Sequence, residues 1–112
     1  MPKWLKMEAT KKKRTFNEII QTEPLVLVDF FTEWCGPCKM MKPILDQLHS
    51  QMGDNLKILK VDVDKNAKAA QVFSITGVPT FALFHRGEMV WRHSGVVSVA
   101  ALQQVINKHL DK

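Results

Sequence analysis

Long apolar runs are missing from this sequence of 112 residues, which also has only five glycines and five prolines. The longest apolar stretches, around Leu25–Val28 and Phe81–Phe84, fall far short of the roughly 18–20 residues that span a bilayer. So little glycine and proline excludes a collagen-like repeat. The composition, 46% hydrophobic and 24% charged, excludes a disordered polar chain and a coiled-coil rod, and the length suits one domain.

Acidic residues are too few to balance the basic ones, because 16 Lys and Arg stand against 11 Asp and Glu, a net charge of +5. The whole excess lies in residues 1–14, where six basic side chains accompany one acidic side chain. We therefore expect a basic N-terminal arm over residues 1–14, with a poor pattern for part of a first strand within Met7–Lys13, and a neutral domain over residues 15–112. Basic side chains interleaved with aromatics over a folded face, as nucleic-acid binding requires, are missing, so the arm is typical of a solvated tail.

A secretory signal is also missing, because the arm has charge but lacks an apolar core of about 7–15 residues and a small-residue cleavage site. The arm is rich in lysine and has no serine, unlike a mitochondrial presequence. We expect a cytoplasmic protein without a membrane partner. An organelle or the periplasm is the alternative if a targeting segment has been removed.

The hydrophobic pattern predicts alternating helices and strands. Thr15 and Glu18 have the spacing of a capping box, Asp64 and Ser98 are predicted helix caps, and Pro43 should kink the longest helix. The predicted elements are a short helix from Phe16, a strand Leu25–Phe31, a helix Gly36–Met52 ended by Gly53, a strand Leu56–Val63, a short helix ending at Phe73, a strand Thr80–His85, a hairpin strand Met89–His93 and a final helix after Ser98. The β-α-β start implies parallel strands and the hairpin adds antiparallel ones, so an α/β domain with a mixed sheet follows.

The two cysteines stand in the segment Trp34-Cys35-Gly36-Pro37-Cys38, between a predicted strand and a predicted helix. The first N–H groups of that helix and the positive end of its dipole point toward the Cys35 sulfur, which favours the nucleophilic thiolate. A structural disulfide would close too small a loop to stabilise much, and a zinc site needs about four ligands where this pair supplies two. Two unreactive core cysteines would not explain the placement at a helix start.

The segment VDFFTEWCGPCKMMKPILDQL, followed in order by KVDVDKN, TGVPTF and HRGEMV, resembles the thioredoxin family from about Phe16 to Leu110. The resemblance implies a thioredoxin fold, with a five-stranded mixed sheet flanked by four helices. It further implies a monomeric protein-disulfide reductase, a thiol–disulfide oxidoreductase that acts on disulfide-containing proteins. Such a protein binds no metal or cofactor, and NADPH serves it only indirectly, through a thioredoxin reductase.

The resemblance also implies a role for each residue of the reaction. Cys35 corresponds to the nucleophile, and Cys38, expected to be the more buried, to the resolving thiol of the redox-active disulfide. Asp29 resembles the buried carboxylate that serves as a base, and Lys60 the buried lysine that pairs with it. Burial should raise the pKa of Asp29 and the ammonium should lower it, and the sequence leaves open which effect prevails.

Pro79 corresponds to a cis-proline opposite the disulfide, which would free the backbone of Val78 to pair with an extended substrate. A flat apolar surface around Cys35 would bind substrates with little demand on their sequence. Its expected residues are Trp34, Gly36, Pro37, Gly77, Val78, Pro79, Gly95 and Val96. Phe31 departs from the family, which usually has a tryptophan at that position.

Three functional hypotheses follow from these residues. The leading one is a protein-disulfide reductase in which Cys35 attacks and Cys38 resolves. The second is an assembly or regulatory subunit that docks through the same surface, with its redox state as a switch. The third, a net oxidase, is disfavoured by the Gly-Pro pair between the cysteines but depends on the redox potential.

Overall fold

The computed structural model describes residues 14–110 of the chain. It has four α-helices and four strands in this part: α1 Phe16–Thr22, β1 Leu25–Phe31, α2 Gly36–Met52, β2 Lys57–Asp62, α3 Ala67–Val72, β3 Thr80–His85, β4 Glu88–Ser94 and α4 Val99–Asn107, with a short 3-10 helix at Gly53–Asn55. The strands form one sheet in the order β2-β1-β3-β4, in which β1 and β2 are parallel and the other pairs antiparallel. The predicted mixed sheet and its four helices are confirmed. Four strands are present in this part where five were expected, and the weak first strand within Met7–Lys13 lies outside the described residues.

The helix ends follow the capping residues closely. Thr15 and Glu18 form a complete capping box at the start of α1, and Ser98 caps α4 by accepting a hydrogen bond from the N–H of Ala101 at 3.1 Å. Gly53 ends α2 with a positive φ of 54°. These predictions depended on short-range contacts, which sequence spacing expresses directly, and they are confirmed.

The predicted cap at Asp64 is wrong, because α3 begins only after Asn66. The carboxylate of Asp62 accepts hydrogen bonds from the N–H groups of Asp64 and Lys65, at 2.9 and 3.4 Å, and so forms a turn directly after β2. This turn delays the helix by several residues and leaves the Asp64 side chain free for a partner elsewhere in the chain.

Strand β1 is buried on both faces of the sheet, since every residue from Leu25 to Phe30 is buried. One face carries α2 and α4, whose apolar side chains pack against Leu25 and Leu27, and the other carries α1 and α3, which pack against Val26 and Phe30. A strand covered in this way should be almost continuously apolar, as its sequence is. Its C-terminal end therefore has a fixed position between the two layers.

The β3–β4 hairpin turns through two residues, Arg86 and Gly87, which have φ values of 51° and 89°. Two successive positive φ angles match the twist of the flanking strands in a type I′ turn. Further along, a bulge between Leu83 and Phe84 shifts the register of the two strands.

We expect Gly87→Ala to lower the free energy of unfolding by about 1 kcal/mol, because an L-residue with a Cβ is disfavoured at this positive φ. The new Cβ would also approach Oε1 of Gln21 to 2.7 Å, but this atom is the end of a flexible side chain and can move away. Urea denaturation of the oxidised protein measures the effect. Gly87→Asn is the matched variant, and it should lose less because asparagine tolerates the left-handed region. Equal losses from Ala and Asn would contradict the conformational explanation.

Candidate active site

The two cysteines lie where β1 leads into α2. Cys35 is the N-cap residue of α2, and its Sγ accepts a hydrogen bond from the N–H of Cys38 at 3.1 Å. A disulfide joins the two residues, whose Cα atoms are 5.3 Å apart. Pro37 lies in the first turn, where a missing N–H does no harm. The predicted placement of both cysteines at the helix start is confirmed.

The relative burial of the cysteines is the reverse of the expectation. Cys35 is 4% exposed, whereas Cys38 is only partly buried. The reason is the N-cap geometry, in which the Cys35 side chain turns back over the first helical turn toward the N–H of Cys38. Any preference for a thiolate at Cys35 therefore comes from the hydrogen bond to its Sγ and from the helix terminus, and not from greater exposure.

Asp29 is the charged side chain among the buried residues described between 14 and 110. It comes two residues after Leu27 on β1 and therefore shares the face of the sheet that α2 covers. Its Oδ1 has no hydrogen-bond partner. Burial raises the pKa of Asp29 to about 6, and the Lys60 ammonium opposes the rise. Desolvation therefore changes the pKa of Asp29 more than the attraction of Lys60 does. The sequence alone left open which of the two effects is larger.

Lys60 stands directly opposite Asp29 in the β1–β2 register. Its Nζ lies 5.0 Å from the centre of the Phe31 ring, a cation–π arrangement. Within residues 14–110 no ion pair of 4.0 Å or less joins Lys60 to Asp29. The ammonium is thus held near the carboxyl and yet not in contact with it, which explains why it lowers the pKa of Asp29 less than burial raises it.

The loop before β3 reaches the same edge of the sheet. Thr80 is paired with both Phe30 on β1 and Ser94 on β4, so the residues just beyond these three meet at one end. The Val78–Pro79 peptide bond is cis, and the N–H of Gly95 donates to the Pro79 carbonyl at 2.8 Å. No backbone group in the described part of the chain bonds to the N–H or C=O of Val78.

Much of the predicted apolar surface is open to solvent. Trp34 is 73% exposed and Val96 44%. Of the other predicted residues Gly36, Pro37 and Gly77 are exposed, Val78 and Gly95 are partly buried, and Pro79 is buried. Sequence reasoning missed Met40, which is 62% exposed one helical turn after Gly36. An apolar residue at a solvent position of an amphipathic helix was the available signal.

Trp34 is exposed but anchored. Its indole Nε1 donates a hydrogen bond to Oδ2 of Asp64 at 2.9 Å, across 30 residues of sequence. Beside it, Nζ of Lys65 lies 3.5 Å from Oε2 of Glu33. The turn after β2 therefore supports the loop that precedes Cys35. Sequence spacing carried no sign of these contacts, because both join elements that are remote along the chain.

Within residues 14–110, three or more His, Cys, Asp or Glu side chains nowhere come together as a metal site would require. None of the helices in this part combines the length and the apolar character of a membrane-spanning segment.

Comparison with known proteins gives consistent matches. A family model described as Thioredoxin matches residues 7–108. The thioredoxin of Bacillus subtilis (strain 168) is 45% identical over 89 residues, which cover 80% of this chain and 86% of the relative. The thioredoxin of Chlamydia trachomatis serovar D is 44% identical over 85 residues, covering 76% and 82% respectively.

Solved structures agree with these sequence matches. A mutant thioredoxin from Halobacterium salinarum NRC-1 aligns with a TM-score of 0.79 at 32% identity, covering 91% of this chain and 87% of that one. The oxidised form of mitochondrial thioredoxin 3 from Saccharomyces cerevisiae aligns with a TM-score of 0.76 at 33% identity, covering 83% and 86%. The shared fold therefore extends over most of each chain.

We expect Asp29→Asn to stabilise the folded protein at high pH. Because the pKa of Asp29 rises from 3.8 to about 6 on folding, the folded state binds the extra proton and loses stability as pH increases through this range. Removing the carboxyl should add about 3 kcal/mol at pH 8 and only about 1 kcal/mol at pH 4.5. Urea unfolding of the oxidised protein at both pH values measures the difference.

Asp54→Asn is the control for this experiment, since Asp54 is exposed in the 3-10 helix. It should leave the pH dependence unchanged. A gain from Asp29→Asn of the same size at pH 4.5 and pH 8 would refute the role of ionisation.

Proposed function

The chain belongs to the thioredoxin family, and from this premise we propose how its residues divide the work of reducing a disulfide. The protein is a protein-disulfide oxidoreductase that acts by dithiol–disulfide exchange. The observation that carries the proposed mechanism is the N-cap position of Cys35, whose Sγ accepts the N–H of Cys38.

The first step is attack by the Cys35 thiolate on one sulfur of a substrate disulfide. A bond forms between Cys35 Sγ and that sulfur, the substrate S–S bond breaks, and the second substrate sulfur leaves as a thiolate. The buried surroundings of Cys35 disfavour its thiolate, while the Cys38 N–H at 3.1 Å and the positive helix end favour it. These donors support Cys35 as the attacking residue.

The second step releases the substrate. Cys38 loses its proton and attacks Cys35 Sγ, the mixed disulfide breaks, and the first substrate sulfur leaves as a thiolate that takes up a proton. Two electrons thus pass from the dithiol to the substrate, and the Cys35–Cys38 disulfide remains. Asp29 is the proposed base for the Cys38 proton, because a pKa of about 6 leaves its carboxylate available at neutral pH. Lys60 keeps that pKa from rising further.

Substrate binding is assigned to the surface around Cys35. Exposed Trp34 and Val96 supply apolar area, and the unpaired backbone groups of Val78 can join an extended substrate segment as in strand addition. Backbone pairing and a flat apolar contact make few demands on sequence. This combination suits a reductase for many disulfide-containing proteins.

We also propose a source of electrons and a location for the protein. A thioredoxin reductase would return electrons from NADPH to the Cys35–Cys38 disulfide, and no cofactor would be bound by the chain itself. We place the protein in the cytoplasm as a monomer, with residues 1–14 as a basic arm and residues 15–112 as the catalytic domain.

Reduction of insulin disulfides by NADPH and a thioredoxin reductase tests this mechanism. Wild-type protein should turn over, Cys35→Ser should abolish turnover, and Cys38→Ser should accumulate a mixed disulfide that mass spectrometry detects. Equilibration with a glutathione buffer should place the couple on the reducing side, as a reductase rather than an oxidase requires. Turnover by Cys35→Ser would refute the assignment, and an inactive wild type would favour the regulatory-subunit hypothesis.

We expect the hydrogen bond from Trp34 to Asp64 to support substrate binding. A hydrogen bond to an aspartate at an exposed site contributes on the order of 1 kcal/mol, so Asp64→Ala should raise KM for insulin about two- to tenfold with little change in kcat. In a Trp34→Phe background, which lacks the indole N–H, Asp64→Ala should have no further effect. Asp54→Ala is the surface control. An equal effect of Asp64→Ala in both backgrounds would contradict a role through Trp34.

A further inference from the structure

Arg92 joins the edge strand β4 to the segment that follows α3. Its guanidinium Nη1 donates to the backbone carbonyl of Phe73, and its Nη2 donates to the carbonyl of Ser74 at 2.8 Å. The two residues are 18 and 19 positions away in the sequence. A planar guanidinium offers two parallel donors, which suits two successive carbonyls better than a single ammonium does.

The two carbonyls lie at the end of α3, whose last turn is closed by backbone bonds from the N–H groups of Ser74 and Ile75 to the carbonyls of Gln71 and Ala70. In the described part of the chain these bonds leave the carbonyls of Phe73 and Ser74 without a backbone partner, and α3 has no basic residue in its last turn. Ser74 has a φ of 54°, so the chain leaves the helix in a left-handed conformation. The terminal carbonyls carry the negative end of the helix dipole, and a cation from another element is a favourable partner for them.

The segment Phe73–Pro79 leads from this helix end to the cis-proline. Its near end is held by the Phe73 ring, which packs 5.6 Å from the ring of Phe84, and by Arg92. At its far end Thr80 Oγ1 donates to the Gly77 carbonyl at 2.7 Å. Val78, whose N–H and C=O are assigned to the substrate, lies in the turn that Thr80 closes on Gly77, four residues after Ser74.

We propose that Arg92 is a positioning residue for substrate binding, which acts by fixing the near end of segment Phe73–Pro79. The inference rests on the proposed function of Val78 and deepens it. Strand addition orders the receiving backbone, and a backbone that is already held loses less conformational freedom when substrate binds. Arg92 touches neither the disulfide nor the substrate backbone, so its effect belongs to substrate binding rather than to the exchange chemistry.

The kinetic test uses Arg92→Ala in the full chain, with insulin as the disulfide substrate. We expect KM to rise about three- to tenfold while kcat changes less than twofold, because two hydrogen bonds to the segment are lost. Arg92→Lys keeps the charge but replaces the two parallel donors with a single ammonium, and its KM should lie between those of wild type and Arg92→Ala. Lys68→Ala, which removes an exposed cation from α3, is the matched control and should leave KM unchanged.

Two further measurements separate a local effect from loss of the fold. Hydrogen exchange at the amides of Ser74 and Ile75, which donate to the carbonyls of Gln71 and Ala70 at 3.1 and 2.8 Å, should become faster in Arg92→Ala, while the amides of β1 keep their protection. Reduction of the small disulfide reagent DTNB needs no paired backbone, and its rate should be the same in wild type and Arg92→Ala.

An unchanged KM in Arg92→Ala would overturn the inference, as would an equal rise in Lys68→Ala or unchanged exchange at Ser74 and Ile75. Failure of the proposed function has a different signature. In that case wild-type protein would not reduce insulin, or Cys35→Ser would still do so, whatever the state of Arg92.

Discussion

The burial of β1 on both faces is the constraint on which the rest of this structure depends. The strand pairs with β2 on one side and β3 on the other, and helices cover it above and below. Its neighbours leave it no freedom to shift register, because a shift by one residue would exchange the side chains of its two faces. The C-terminal end of the strand is therefore a rigid support, and Cys35 follows it by only four residues.

Asp29 is the one polar residue in the buried part of this rigid strand. An apolar residue in place of Asp29 would avoid desolvating a carboxyl, and Oδ1 of Asp29 has no hydrogen-bond partner to offset that cost. The same burial that destabilises the carboxylate raises its pKa to about 6, a range useful for proton transfer at neutral pH. The burial that reduces stability here also supports the proposed role of Asp29 as a base, and Lys60, held over Phe31, limits the rise in its pKa.

Features that depend on neighbours in sequence were predictable, and features that depend on remote neighbours were not. The bounds of β1, α2 and β3 agree with their predicted bounds, because apolar runs and caps such as Gly53 act locally. The placement of Cys35 at a helix start followed from the same signals. The greater burial of Cys35 did not, because it depends on how the N-cap side chain folds over the first turn. The direction of the Asp29 pKa shift required the position of Lys60 on another strand.

The supports of the site are a further class of remote contact. Trp34 is held by Asp64 from the turn after β2, and the segment before Pro79 is held by Arg92 from β4. Each support joins a loop that we assign to substrate binding to an element that does not carry the two cysteines. A loop with exposed backbone has little packing of its own, so a hydrogen bond from outside is an effective way to order it without covering it. The rigid core positions the sulfurs, and polar contacts at the edge position the surface that we propose for substrate binding.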